Sequence, residues 1–241
     1  MPIVAGALAV VLAAFVKGSV AFGFPLLATP LLALVWNVKT AVAVTIIPNI
    51  VMDSVQLVRR GDAFGTVRRL AVLLVFGVLG TWVGTRLLSV LPGRVATIVL
   101  GAFVLLFGVL NATGFAPRVP RRWEPWLSPP VGFVAGILGG LTNVPGTPLV
   151  LYFYALGMDK YEFVRSAAFS FMIFKLVQLA AVTWYGLLSL PLLVLSLGFT
   201  VVALAGFAVG LRLQDWLPER AFNRAVLAFL MLTGAWLVLR G

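Results

Sequence analysis

Residues Gly139 to Pro148, Gly-Gly-Leu-Thr-Asn-Val-Pro-Gly-Thr-Pro, interrupt a chain that is apolar enough for lipid on both sides. A lipid core supplies no water to backbone N–H and C=O groups, so a spanning segment is helical, and irregular backbone survives only where protein or a wet cavity surrounds it. Pro145 and Pro148 each lack an N–H and clash with the preceding turn. The stretch therefore predicts a helix, a break and a second helix, with Pro148 at the first helical position. The N–H groups that open the second half-helix form an end that attracts anions. The competing reading is an ordinary turn outside the membrane.

Composition fits a polytopic membrane protein. Of 241 residues, 62% are hydrophobic and 10% charged, against roughly 25% charged in soluble domains. Histidine and cysteine are both absent, which removes disulfides, thiolate metal sites and the commonest general base. The formal net charge of +11 comes mostly from arginines at the ends of apolar segments, where they read as topology signals and headgroup anchors rather than nucleic-acid contacts. The first segment lacks a basic leader and an A-x-A cleavage site just after its apolar run, and reads as a retained span.

In chain order, residues 3–22 are apolar except for Lys17 and Ser19, and breaks follow at 17–19 and 23–25. Residues 25–36 predict a helix about 18 Å long, short of a ~30 Å apolar core. Spans are predicted at 39–58, 69–88 and 95–111. A basic loop at 112–129 follows, with Trp123 and Trp126 suited to an interface belt. The second half starts at 130–142, resumes at 148–157 after the break, and continues with spans at 163–184, 190–212 and 221–239.

The two halves match. Residues 77–94 align with 203–220 at an offset of 126, pairing Gly80 with Gly206, Gly84 with Gly210, Arg86 with Arg212 and Pro92 with Pro218. Val55-Gln56-Leu57 aligns with 177–179 at an offset of 122. The expected fold is an all-α polytopic membrane protein of two homologous repeats, inverted relative to each other. Each repeat is a broken-helix hairpin plus three transmembrane helices. The organisation is 1–111 as first repeat, 112–129 as basic inter-repeat loop and 130–241 as second repeat. An odd number of crossings per repeat puts 59–69, 112–129, 157–165 and 212–224 in the cytoplasm and the uncharged 185–190 outside, as the positive-inside rule prefers. If the broken pairs cross instead of re-entering, the repeats are parallel. The spaced glycines at 77, 80, 84, 206 and 210 read as close-packing positions.

Ionisable groups within a span are functional candidates. Lys17 stands at the first break, where a lysine beside a half-helix N-terminus would contact an anion; its alternative role is to reach headgroups. Asp53 and Lys175 occupy matched positions at the 122 offset and are candidates for coupling or an ion pair. Ser19, Gln56, Gln178, Asn143 and Thr147 are candidate hydrogen-bonding partners for substrate, with Gly140 and Gly146 supplying backbone at the break. Tyr152, Phe153 and Tyr154 read as packing. No cofactor or metal is expected. A nucleotide-binding Gly-x-x-x-x-Gly-Lys-Ser/Thr loop is missing, which argues against ATP hydrolysis.

Two copies, each opening with a Gly/Pro-broken hairpin and closing with a Gly-rich helix that ends Arg-Leu-x-x-x-Leu-Pro, resemble the sulfite exporter TauE/SafE family, also called toluene sulfonate uptake permeases. The strongest segments are Gly139-Gly140 through Thr147-Pro148-Leu149-Val150, and 206–220. The first hairpin departs from the pattern, because Lys17 to Pro25 lacks adjacent glycines. The resemblance implies transport of sulfite, thiosulfate or an organosulfonate such as sulfoacetate. The reading is a secondary transporter in the inner (cytoplasmic) cell membrane, with a site formed by two facing helix breaks. It is not an enzyme. Its partners are a small anionic substrate, membrane lipid and a coupling ion, H+ or Na+; nucleic acid is not a partner, and a homo-oligomer is compatible with the sequence. A passive anion channel and a structural membrane protein are the alternatives.

The topology is testable because the chain has no native cysteine. Single cysteines replacing Ser89 and Ser189 are expected to react with an impermeant maleimide added outside intact cells. A cysteine replacing Ala63 is expected to react only after permeabilisation.

Overall fold

The structure is a computed structural model and describes residues 2–20, 23–60, 63–113, 118–144, 146–213 and 239. Nine helices occur among them: α1 Pro2–Val20, α2 Phe24–Val35, α3 Val38–Arg60, α4 Ala63–Val90, α5 Gly93–Ala112, α6 Glu124–Thr142, α7 Gly146–Ala155, α8 Lys160–Trp184 and α9 Leu190–Leu213. A single 3-10 turn, Arg121–Trp123, precedes α6. The segments Pro2–Ser19, Val38–Val58, Arg68–Val90, Glu162–Trp184 and Leu190–Arg212 are long and apolar enough to cross a membrane. With 12 residues in α2 and 10 in α7, neither reaches the ~20 residues a span needs. The span expected at 221–239 lies outside the described residues except for Leu239, as does the end of the 203–220 match.

Three boundaries differ from the sequence expectation for local reasons. Helix α6 begins at Glu124, inside the stretch read as a loop, with a proline in its first turn. Pro125 presets φ where the missing N–H would be unsatisfied anyway, and Glu124 complements the positive end of the helix. Helix α7 begins at Gly146, so Pro148 is its third residue rather than its first; the first-turn N–H groups have no intrahelical acceptor, so proline costs little there too. Helix α1 runs unbroken through Lys17-Gly18-Ser19 to Val20, so the break expected at 17–19 is absent and Lys17 lies within the helix; one glycine and one serine in a helix interior cost at most about 1 kcal/mol each against alanine and do not end it by themselves. Helix α3 runs unbroken through Pro48, as the single span expected at 39–58 requires. At the first break, Gly23 takes φ 100°, a conformation that residues with a Cβ rarely adopt.

The chain forms two compact units that each draw on both halves of the sequence. Unit 1 comprises 1–48, 91–115 and 190–241; unit 2 comprises 49–90 and 116–189. Within unit 2, α4 lies directly on α6. A Cβ added to Gly80 or Gly84 would strike the carbonyl oxygens of Phe133 and Ile137, and one on Gly132, Gly136 or Gly140 would strike those of Leu73, Gly77 and Thr81. Glycines spaced three or four apart on both helices thus bring the two backbones into contact. Helices in lipid gain no hydrophobic drive from meeting each other, so this close van der Waals approach carries the association. Unit 1 uses the same device between α1 and α9: Gly206 and Gly210 sit against the carbonyls of Val11 and Phe15, and Gly18 against that of Phe207. Its α9 also donates from Ser196 Oγ to the Val44 carbonyl of α3 at 2.9 Å.

Substitution at these contacts should separate packing from helix propensity. Gly136→Leu is expected to lower stability by roughly 3 kcal/mol or more, because the obstructing atom is backbone and cannot rotate away. Gly198→Ala, where an added Cβ meets nothing within 4 Å, should be neutral or stabilising by about 0.5–1 kcal/mol. Thermal unfolding of the detergent-solubilised variants measures both.

Candidate functional site

The break between α6 and α7 lies within unit 2. Helix α6 ends at Thr142, and Asn143 takes the left-handed conformation at φ 68°, the single non-glycine residue among those described with positive φ. Asparagine tolerates this conformation better than most residues, and it serves here as a helix cap: its N–H donates to the Gly139 carbonyl at 2.9 Å. Thr142 Oγ1 donates to the Leu138 carbonyl at 2.7 Å and accepts from the Val144 N–H at 3.3 Å. Leu141, Thr142, Asn143 and Val144 are all buried. Pro145 and the side chain of Thr147 lie outside the described residues, and Gly146 is described only as the start of α7.

A helix that stops inside protein leaves its last carbonyls without intrahelical partners. Side chains from α8 supply them. Gln178 Nε2 donates to the carbonyls of Gly139 at 2.9 Å and Gly140 at 3.2 Å. Lys175 Nζ donates to the Asn143 carbonyl at 3.3 Å, to Asn143 Oδ1, and to Gln178 Oε1 at 2.6 Å. These three oxygens lie around an ammonium, a group that only donates. Lys175 and Gln178 are both fully buried. They lie three residues apart on α8, the spacing that puts two side chains on one helix face. The negative end of the α6 dipole favours a cation at this place, which offsets part of the cost of burying the charge.

The expected site residues fall into three groups. Gly140, Asn143, Lys175 and Gln178 meet at this one break. Asp53 and Gln56 are buried on the part of α3 that belongs to unit 2. Lys17, 1% exposed, and Ser19 are buried on α1 in unit 1, and Ser19 Oγ donates to the Phe15 carbonyl at 3.0 Å. Gly140 packs on α4 and also accepts from Gln178, so its two faces are engaged by different helices. Tyr152 is buried, and its hydroxyl bonds to Ser128 Oγ at 2.8 Å and the Glu124 carbonyl at 3.2 Å, which ties α7 to the start of α6.

A second polar cluster escaped the sequence reading. Arg69 on α4 forms a bidentate pair with Glu124 on α6, at 2.9 and 3.1 Å, and also binds Glu162 on α8. Each of the three sits near the start of its helix. Their positions near span ends were visible in the sequence; their convergence across three helices was not. Ser170 on α8 is another residue the sequence did not mark: its Oγ is fully buried and has no hydrogen-bond partner among the described residues.

Removing Gln178 orphans two carbonyls and strips an acceptor from Lys175. Gln178→Leu should therefore destabilise by about 1–3 kcal/mol for each buried group left unsatisfied. A fall in melting temperature measures this, with Thr183→Val, an exposed position on the same helix, as the control that stays near wild type.

Comparison with known proteins agrees with this architecture. No match is found among curated proteins or among solved structures. A family model described as "Sulfite exporter TauE/SafE" matches residues 6–237. Nearly the whole chain is covered by that match, and the protein belongs to the sulfite exporter TauE/SafE family.

Proposed function

We propose that the protein is a secondary transporter that moves a sulfur-containing anion (sulfite, thiosulfate or an organosulfonate such as sulfoacetate) across the cytoplasmic membrane, using the α6–α7 break as a substrate contact. Membership in the family implies a sulfur-anion transport role and a permease rather than an enzyme. The multi-pass helical architecture is consistent with that role.

The observation that carries the finer reading is the unequal treatment of the two helix ends at the break. The carbonyls at the end of α6 are engaged by Gln178 and Lys175. The opening N–H groups of α7, at Gly146 and Thr147, form the opposite pole, and their partial positive charge adds to the full charge of the buried Lys175. An environment biased this way favours an anion, and it is the arrangement by which broken helices bind anionic substrate groups in other transporters. Under this reading Gly146, Thr147 and Asn143 face substrate, with Gln178 and Lys175 holding the break open in register.

In the first half, Lys17 is equally buried, in the last turn of α1, and is assigned the corresponding anion contact, with Ser19 on the same turn. Gln56, buried on α3, is assigned to substrate as well. Asp53, fully buried, is the candidate carrier of a coupling proton. Two homologous repeats are supported by matched contacts as well as matched residues. Gly80 and Gly206, 126 apart, meet the carbonyls of Phe133 and Val11, which are 122 apart; Gly84 and Gly210 meet those of Ile137 and Phe15 with the same spacings.

Purified protein in proteoliposomes is expected to take up radiolabelled sulfite or thiosulfate against its gradient when a proton gradient is imposed. Lys17→Met should reduce initial uptake at least tenfold, and Asp53→Asn should abolish the dependence on the pH gradient. Downhill flux without accumulation would favour a channel, and full activity of Lys17→Met would remove that residue from the site.

A further inference from the structure

The α6–α7 break presents two helix ends of opposite polarity, and the negative one is already occupied by a side chain. In transporters built from broken helices, unwound carbonyls and half-helix C-terminal ends are where the coupling Na+ binds. Here the Asn143 carbonyl, Asn143 Oδ1 and Gln178 Oε1 converge on Lys175 Nζ. All three are neutral oxygens, the ligand type that small hard cations take. The cage is buried and comes from two elements, the end of α6 and one face of α8.

We propose that the Lys175 ammonium is a tethered stand-in for a monovalent cation: it fills, on a four-carbon stem from α8, the oxygen cage that Na+ would otherwise hold at the C-terminal end of α6. That the displaced ion would be a coupling ion rests on the transporter reading above. A covalently attached charge cannot dissociate, so this position draws nothing from a sodium gradient. The matched position in the first half of the chain is Asp53, also fully buried. The halves thus carry opposite charges at one repeat position.

Replacing Lys175 should turn the cage back into an ion site. Lys175→Met keeps most of the stem and leaves the three oxygens around a space vacated by the ammonium. In detergent at constant ionic strength, with choline exchanged for Na+, the melting temperature of Lys175→Met should rise saturably, by roughly 5–10 °C at about a hundred times the dissociation constant. K+ should act at a different concentration, and wild type should respond less than the variant to either ion. Lys175→Gln, which removes the charge but keeps a polar tip, should show the same gain.

Equal responses of wild type and both variants across the Na+ range would overturn the proposal. So would failure of both variants to yield folded protein in Na+, K+ and choline alike, since a free ion then cannot replace the tethered one. The transporter reading is tested separately, by wild-type uptake of sulfite and thiosulfate in proteoliposomes. Failure of that uptake, with a cation response gained by Lys175→Met, would remove the substrate assignment and leave the tethered cation standing. Uptake with no gained response would do the reverse.

Discussion

Satisfying backbone polar groups away from water is the constraint on which this structure depends. Most of the chain meets it by being helical. The α6–α7 break cannot, and the exposed end of α6 is completed by two side chains of α8, Gln178 on the Gly139 and Gly140 carbonyls and Lys175 on Asn143. These bonds do more than close a ladder. They consume the acceptors at one helix end, in part with a cationic donor. Burying an ammonium is costly, but here the charge sits at the negative pole of a helix with oxygens of Asn143 and Gln178 around it.

A second constraint fixes where that break can be. The glycines of α4 and α6 press the two backbones together from Leu73 against Gly132 to Thr81 against Gly140. The last of these contacts lies only two residues before the end of α6. The break is therefore anchored on one side by a helix pair that has little freedom to slide, because Gly80, Gly84, Gly132, Gly136 and Gly140 are each opposed by a main-chain carbonyl. On the other side, α7 is joined to α6 through the Tyr152 hydroxyl, and α4, α6 and α8 are joined near their starts by Arg69, Glu124 and Glu162. The polar break thus has closely packed neighbours on both sides.

Much of this was legible in the residues. Glycine and proline at 139–148 located the break, and α2 at Phe24–Val35 lies within a residue of the expected 25–36. The glycine spacing signalled close packing. Boundaries near prolines were less legible, because proline is tolerated anywhere in a first helical turn: α6 starts at Glu124 and α7 at Gly146, both earlier than the sequence reading. Lys175 and Asn143 were marked separately, as a buried charge and a polar break residue, 32 positions apart. That the carbonyl and side-chain oxygen of Asn143 are turned toward Lys175 follows from its left-handed backbone, a single-residue conformation that the amino-acid type permits but does not require.

The sequence by itself determined an all-helical membrane protein, the location of the break within 139–148 and the membership that links it to sulfur-anion transport. Those properties follow from composition, from the local chemistry of glycine and proline, and from a pattern spread along the whole chain. Tertiary structure decided which helices pair. Unit 1 joins α1 with α9, unit 2 joins α4 with α6, and each pairing takes one helix from either half of the sequence. It also decided that Lys175 serves the end of α6 and that Arg69 gathers two glutamates. Such choices depend on which surfaces meet at long range. A glycine stripe specifies that some backbone will come close, and a buried lysine that some oxygens will surround it, but only the packed chain supplies the partner.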